Sequence, residues 1–182
     1  MIGYFGRLKK YKSVDQLLQA LPPVLREVPN LKTVIVGEGD DRPRLEALAK
    51  ELKVQDSVRF TGFVDEQEKV TLLQQMWFKV ATSSKEGWGL TVTEANACGT
   101  PVIASNVPGL RDAVQDGKSG LLYRYGDIED LVGKIKLLLG DGELRAHLSA
   151  GALAWAARFS WDEAARRTIE VLEQRIAERR PD

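Results

Sequence analysis

Two glutamates, Glu86 and Glu94, stand with seven residues between them in the stretch KEGWGLTVTEA at positions 85–95. Gly87 and Gly89 flank Trp88 directly after the first carboxylate. Glycines at that place free backbone amides just before a helix. Helix starts collect anions, because N–H groups without an intrahelical acceptor and the helix dipole converge there. Such a loop can cradle a diphosphate or hydrogen-bond a sugar. Glu86 would point into the same space, and Glu94 would sit to one side of it. A local explanation competes: Thr91-Val-Thr-Glu94 fits a capping box, in which Glu94 bonds the Thr91 amide, and Glu86 could be an exposed loop carboxylate. Spacing alone leaves both open.

Two other segments carry chemistry. GRLKKYK, residues 6–12, places Arg7, Lys9, Lys10 and Lys12 after an apolar run. A cation cluster at a strand end suits phosphate, Arg as a fork and Lys as a point charge, although a solvated basic loop reads the same way. VGEGD, residues 36–40, resembles a Gly-rich strand-to-helix turn. The third glycine of a dinucleotide fingerprint is missing, since residue 42 is Arg, and Asp40 and Asp41 disfavour a pyrophosphate there.

Composition narrows the classes. Lys+Arg and Asp+Glu are 26 each among 182 residues, so the basic excess of a nucleic-acid binder is missing and no nucleic-acid partner is expected. A single cysteine, Cys98, excludes an intrachain disulfide framework and is expected to be a small buried residue. A single His147, in DGELRAHLSA, leaves no zinc cluster and reads as a surface or boundary residue. No metal site is expected. No apolar run approaches the ~18 residues of a membrane span, and MIGYFG lacks the pattern of a signal peptide. The chain starts on an apparent core strand without lead-in, as a piece of something longer would.

The elements that must hold these residues alternate. Ile2–Phe5, Leu31–Val36, Val58–Phe60, Phe78–Thr82, Pro101–Ser105 and Gly120–Tyr123 read as strands. Helical stretches separate them. Ser13-Val-Asp-Gln16 has the form of a capping box opening the first, and Pro22-Pro23 should kink or break it. Asp65 can cap a helix through Leu72–Leu73. Thr91–Cys98 reads as a helix closed by a left-handed Gly99. Asp127–Leu139, Gly142–Phe159 and Ser160–Arg179 finish the chain. The last opens on another capping box, Ser160-Trp-Asp-Glu163, and has an apolar stripe at Ala165, Ile169, Leu172 and Ile176. Alternation predicts an α/β fold, a Rossmann-like parallel sheet with helices on both faces. Ligands of such sheets bind outside the carboxyl ends of the strands, near the switch point. That is where Gly6–Lys12, Gly37–Asp40, Gly62–Val64 and Ser83–Thr91 should meet.

Over nearly its whole length the chain resembles the C-terminal half of a GT-B retaining glycosyltransferase, of glycosyltransferase family 4 and its relatives (the glycosyl transferases group 1). The resemblance is carried by GRLKKYKSVDQLLQAL, VIVGEGDDRPRLEALA, VRFTGFV, SSKEGWGLTVTEANACGTPVIAS and VPGLRDAVQDGKSGLL. It implies a donor-binding domain for a nucleoside-diphosphate sugar, base unspecified, with no separate cofactor. By that resemblance Arg7 and Lys12 hold the diphosphate, and Glu86 contacts the transferred sugar on its reacting face. The amides around Gly87, Trp88, Gly89, Leu90 and Thr91 bond sugar and phosphate, and Glu94 bonds the ribose hydroxyls. Val64 lies at the base, and Gly6 and Gly37 lie at the donor's strand ends. The two glutamates would thus not be an acid–base pair of the glycosidase kind. The sequence departs from the family's pattern at Ser13, where a Gly is usual after the Lys, at Thr82, where a Pro is usual before the Ser, and at Trp88 in place of Phe.

The same resemblance implies front-side transfer with retention, the leaving phosphate helping to deprotonate the acceptor and the cations and amides stabilising it. It implies one domain over residues 1–182, whose helices at about 160–180 pack on an N-terminal acceptor domain. It implies an isolated domain inactive without that partner. The whole enzyme is expected in the cytoplasm, in polysaccharide or glycolipid synthesis, with peripheral membrane association compatible. An alternative stays open: a non-catalytic sugar-nucleotide-binding domain. A sugar-nucleotide epimerase and a nicotinamide-dependent oxidoreductase are the other rivals, the latter lacking its glycine fingerprint.

Overall fold

A computed structural model describes residues 1–178. Its centre is a sheet of six parallel strands in the order β3-β2-β1-β4-β5-β6. The strands are β1 Ile2–Phe5, β2 Thr33–Val36, β3 Val58–Gly62, β4 Lys79–Ala81, β5 Val102–Ser105 and β6 Gly120–Tyr123. Between them run α1 Val14–Leu25, α2 Arg42–Glu51, α3 Glu66–Gln75, α4 Leu90–Ala97 and α5 Leu110–Ala113. Then follow α6 Ile128–Gly140, α7 Gly142–Ala156 and α8 Trp161–Glu178. The α/β expectation holds. From β1 the chain winds outward through β2 and β3, then returns to β4 on the other side. The switch point lies between β1 and β4, where a crevice opens.

Apart from Thr33, Lys79 and Ser105 the central strands read as apolar runs because both their faces are covered. In β2, Ile35 packs into one core with α1, α2 and α6, while Val34 and Val36 pack into the other with α3, α4 and α5. Register pins the strand ends: Ile2 stands beside Thr33 and Phe5 beside Val36. The loops after β1 and β2 therefore leave the sheet side by side. They also touch: a Cβ on Gly37 would lie 2.0 Å from the Gly6 carbonyl oxygen, and φ there is +128°. Only glycine fits.

Several local expectations need correction. Pro22 and Pro23 do not break α1. They sit in its last turn, so the missing donors and the ring clash fall where the helix is ending anyway. Ser13 precedes α1 but forms no capping box: its φ is +49°, and its Oγ pairs with Tyr125 Oη at 3.0 Å. A left-handed residue cannot aim its side chain at the helix amides as an extended cap does. Asp65 and Asp127 do cap, accepting the amides of Glu68 and Asp130. At α8, Ser160 Oγ accepts the Glu163 amide at 3.1 Å, but Glu163 turns to Arg166 and Arg167 rather than closing the box. The expected helix end at Arg179 lies outside the described residues. Cys98 is half-buried rather than buried, and His147 is exposed.

Helix α8 has no buried residue. Ile169, Val171, Leu172 and Ile176 are each more than half exposed, and Trp161 is 91% exposed. Among the described residues no helix is long and apolar enough to cross a membrane.

Candidate functional site

At the switch point the loops after β1, β2, β3 and β4 enclose a cleft of about 670 Å³. Its lining includes Gly6, Arg7, Lys12, Gly37, Val64, Glu86, Trp88, Gly89, Leu90, Thr91 and Glu94. Eleven of the twelve expected site residues thus meet there; Gly87 stands outside the lining. These positions span chain segments far apart in sequence, and one cleft gathers them.

Lys12 and Glu86 form an ion pair on the cleft wall, with side chains only 10% and 16% exposed. Ser83 Oγ donates a second hydrogen bond to the same carboxylate oxygen at 2.7 Å. Lys12 is held by its backbone as well: the buried Thr82 hydroxyl donates to the Lys12 carbonyl at 2.8 Å. The Ser84 amide donates to the Tyr11 carbonyl at 2.8 Å, joining the β1 and β4 loops a second time. Thr82 therefore does work that a proline could not, since a proline has no hydroxyl. Arg7 is exposed and donates to Tyr11 Oη at 3.0 Å. Its backbone is fixed by buried Tyr4, whose hydroxyl donates to the Arg7 carbonyl at 2.9 Å. Burial, and then the Glu86 charge, push the Tyr4 phenol well above its ordinary range, so it remains a donor.

The loop after β4 ends in a sharp turn. Gly89 is the N-cap of α4 with φ +87°, a left-handed conformation that favours glycine. The helix begins at Leu90, two residues earlier than the capping-box pattern requires. Thr91 is therefore already inside the first turn, and Glu94 cannot reach back to a cap amide. The local explanation for Glu94 falls. Its carboxylate instead faces the cleft and meets Lys69 Nζ at 3.3 Å. The Leu90 and Thr91 amides stand in the first turn of α4, where no intrahelical carbonyl is available to them, and both residues line the cleft. Trp88 closes the side of the loop: its Nε1 donates to Thr93 Oγ1 at 3.2 Å, and its ring meets Phe159 edge-on at 5.2 Å. Phe159 in turn packs on Trp155 of α7 at 4.9 Å.

Some residues at the site escape sequence reasoning. Lys69 of α3 bridges Glu66 at 2.6 Å and Glu94 at 3.3 Å. Partial burial works against its charge, but these two carboxylates prevail and raise its pKa. No motif marks it. Phe63, 79% exposed, stands on the rim beside Val64. Lys79 lies wholly buried in β4 beneath the loop. Its signal was in plain view, a charge inside the apolar run FKVAT.

A larger, more open hollow of about 880 Å³ lies alongside, lined by Lys9, Tyr11, Asp40, Asp41, Arg44 and Tyr125 among others. Its charges neutralise one another: Lys9 pairs with Asp40 at 3.0 Å and Arg44 with Asp41 at 2.7 Å. No group of three His, Cys, Asp or Glu among the described residues is placed to hold a metal ion.

Residues 1–155 match the family described as "Glycosyl transferases group 1". A D-inositol 3-phosphate glycosyltransferase of Stackebrandtia nassauensis is 40% identical over 176 residues, which cover 91% of this chain and 39% of that protein. The chain thus spans less than half the length of the curated relatives it matches. Among solved structures, Anabaena HepE in complex with UDP superposes with a TM-score of 0.86 at 26% identity, over 95% of this chain and 48% of that one. The C-terminal domain of a glycosyl transferase group 1 family protein (LpcC) of Francisella tularensis superposes with a TM-score of 0.77 at 26% identity, over 86% and 83%.

Proposed function

The chain belongs to the glycosyl transferases group 1 family, and from that premise we propose that it is the donor-binding half of a retaining glycosyltransferase. It would move a hexosyl group from a nucleoside-diphosphate sugar to an acceptor hydroxyl. The observation that carries this reading is the convergence of two glutamates, two cations and the open α4 amides on one cleft. The UDP held by the Anabaena neighbour supports the donor class.

In this reading Arg7, Lys12 and the Leu90 and Thr91 amides hold the diphosphate. They stabilise the charge it gains as the bond to the sugar breaks, so their binding energy is spent on the transition state. Lys12 passes from Glu86 to the phosphate side, and Glu86 is released toward the sugar. Glu94 takes the ribose hydroxyls, and the Val64 backbone borders the base. The exposed apolar stripe of α8 packs on an acceptor domain that completes the cleft, and the 182-residue chain alone transfers little. The whole enzyme works in the cytoplasm or at a membrane surface.

Calorimetric titration of the chain with UDP-, GDP- and ADP-sugars tests the donor half of the proposal. Tight preference for one base with its diphosphate is the expected result. Absence of binding to all three would overturn it. Robust transfer by this chain alone would overturn the two-domain reading.

A further inference from the structure

Lys79 opens β4, at a buried position where a valine or isoleucine would fill the space without desolvating a charge. Its side chain is completely buried. Its Nζ donates to the Thr91 carbonyl at 2.9 Å and to Thr91 Oγ1 at 2.8 Å. Thr91 lines the cleft; Lys79 does not. The lysine thus stands directly behind the first turn of α4, the turn that lines the cleft.

We propose that Lys79 is a positioning residue for the donor diphosphate, gripping Thr91 from behind the cleft wall and taking up a proton when the diphosphate binds. The proposal rests on the donor-binding reading and adds to it a residue and a proton.

The geometry fits both protonation states. A neutral amine has two N–H groups, and Thr91 supplies two acceptors. The third N–H exists only on the ammonium. A cation at this place is disfavoured in the empty domain, because the start of a helix is its positive end. Burial itself pushes the ammonium down to about 7. Among the charged groups around it, Glu94 of α4 and Glu86 of the β4 loop favour the charge and Lys12 of the β1 loop opposes it. From α3, Lys69 is already committed to Glu66 and Glu94. The flanking strands β1 and β5, IGYF and VIAS, add no acid or base that is charged at neutral pH. A diphosphate arriving at the α4 amides reverses the sign of the local field, and the amine then binds its third proton.

Linkage sets the direction. Where the bound form holds one more proton than the free form, affinity falls as pH rises, by up to about tenfold per pH unit. That window opens at the midpoint of free Lys79 and closes at its higher midpoint in the complex. A nucleotide sugar is the proper probe, because its diphosphate is a diester that does not itself titrate near neutrality. Titrate the 182-residue chain with UDP-, GDP- and ADP-glucose between pH 6 and 8.5, in buffers of different ionisation heat. The expected result is net proton uptake at pH 8 and an affinity that declines above neutrality, both lost in Lys79→Met. Undiminished uptake in Lys79→Met overturns the inference while leaving the donor reading intact. Absence of binding by all three sugars overturns the donor reading and this inference with it. Should Lys79→Met fail to fold, the carbon-13 shift of Lys79 Cε in the wild-type chain decides. A titration midpoint that rises on adding the nucleotide sugar supports the proton uptake, and an unchanged midpoint overturns it.

Discussion

Lys12 and Glu86 lie 74 positions apart in the chain and close an ion pair on the wall of the switch-point cleft, both mostly shielded from water. The pair couples the cation of the β1 loop to the carboxylate of the β4 loop. Any anion that enters must compete for Lys12, and any polyol must compete for Glu86. A donor carrying a diphosphate next to a sugar satisfies both at once.

Lys12→Ala should therefore have two effects. Loss of a charge-assisted contact should weaken nucleoside diphosphate binding by about one to two decades, or ~1.5–3 kcal/mol, and leave nucleoside binding nearly unchanged. It should also lower the melting temperature, because a mostly buried Glu86 is left with Ser83 alone. Arg7→Ala should show the ligand effect without the stability effect, since Arg7 is exposed, its side chain bonds only Tyr11 among the described residues, and the carbonyl that Tyr4 bonds is kept. Equal losses for nucleoside and diphosphate would show that neither cation touches the phosphates.

Burying Lys79 should leave a signature on stability in the ligand-free chain. Its folded value is about 7 against an ordinary 10.5. Between those values the unfolded chain binds the extra proton, so this group's contribution to stability rises with pH across that window. Below about pH 7 the folded chain carries the full cost of a buried charge. Lys79→Met should accordingly be more stable than wild type at pH 6, with an advantage that shrinks toward pH 10. Denaturant midpoints at both ends check this; an advantage independent of pH would show that Lys79 does not titrate there.

The exposed stripe of α8 should respond differently in this chain and in a full-length protein if it packs on an acceptor domain. Ile169→Asp and Leu172→Asp should each change the stability of this chain by less than about 0.5 kcal/mol, because neither residue is buried. In the full-length protein the same changes should impair transfer, if the stripe packs on the acceptor domain. A large loss of stability in the isolated chain would mean that α8 docks on this domain instead.

Sequence patterns located β1, β6 and the Asp65 cap because each depends on neighbours in the chain. The cleft itself was legible because strand ends in a doubly wound sheet must gather at the switch point. What escaped was set by contacts between distant segments. Lys69 meets Glu94 only because the fold brings one residue of α3 and one of α4 to the same cleft, and no spacing encodes that. Ser13 read as a cap by its type, yet the loop holds it in a left-handed conformation and gives its hydroxyl to Tyr125. Thr82 read as a departure from a pattern, and its reason appears only when the Lys12 carbonyl is placed opposite its hydroxyl.

The two glutamates should fail differently. Glu94 begins free of any cap amide and holds only Lys69, at 41% exposure, so Glu94→Gln should barely change melting temperature. If it bonds the ribose, the same change should weaken every nucleotide tested, sugar-bearing or not, by roughly 1.5–3 kcal/mol. Glu86→Gln keeps the shape of the side chain but gives up the charge that Lys12 and Ser83 now share. With Lys12 freed for phosphate, the bare nucleoside diphosphate should bind at least as well as to wild type. The nucleotide sugar should lose its extra affinity, and turnover in the full-length enzyme should fall. Titrations of both variants with a nucleoside diphosphate and its sugar, alongside melting curves, separate the outcomes. Identical profiles would refute the division between sugar and ribose, and a loss of bare diphosphate binding in Glu86→Gln would place that carboxylate at the nucleotide instead.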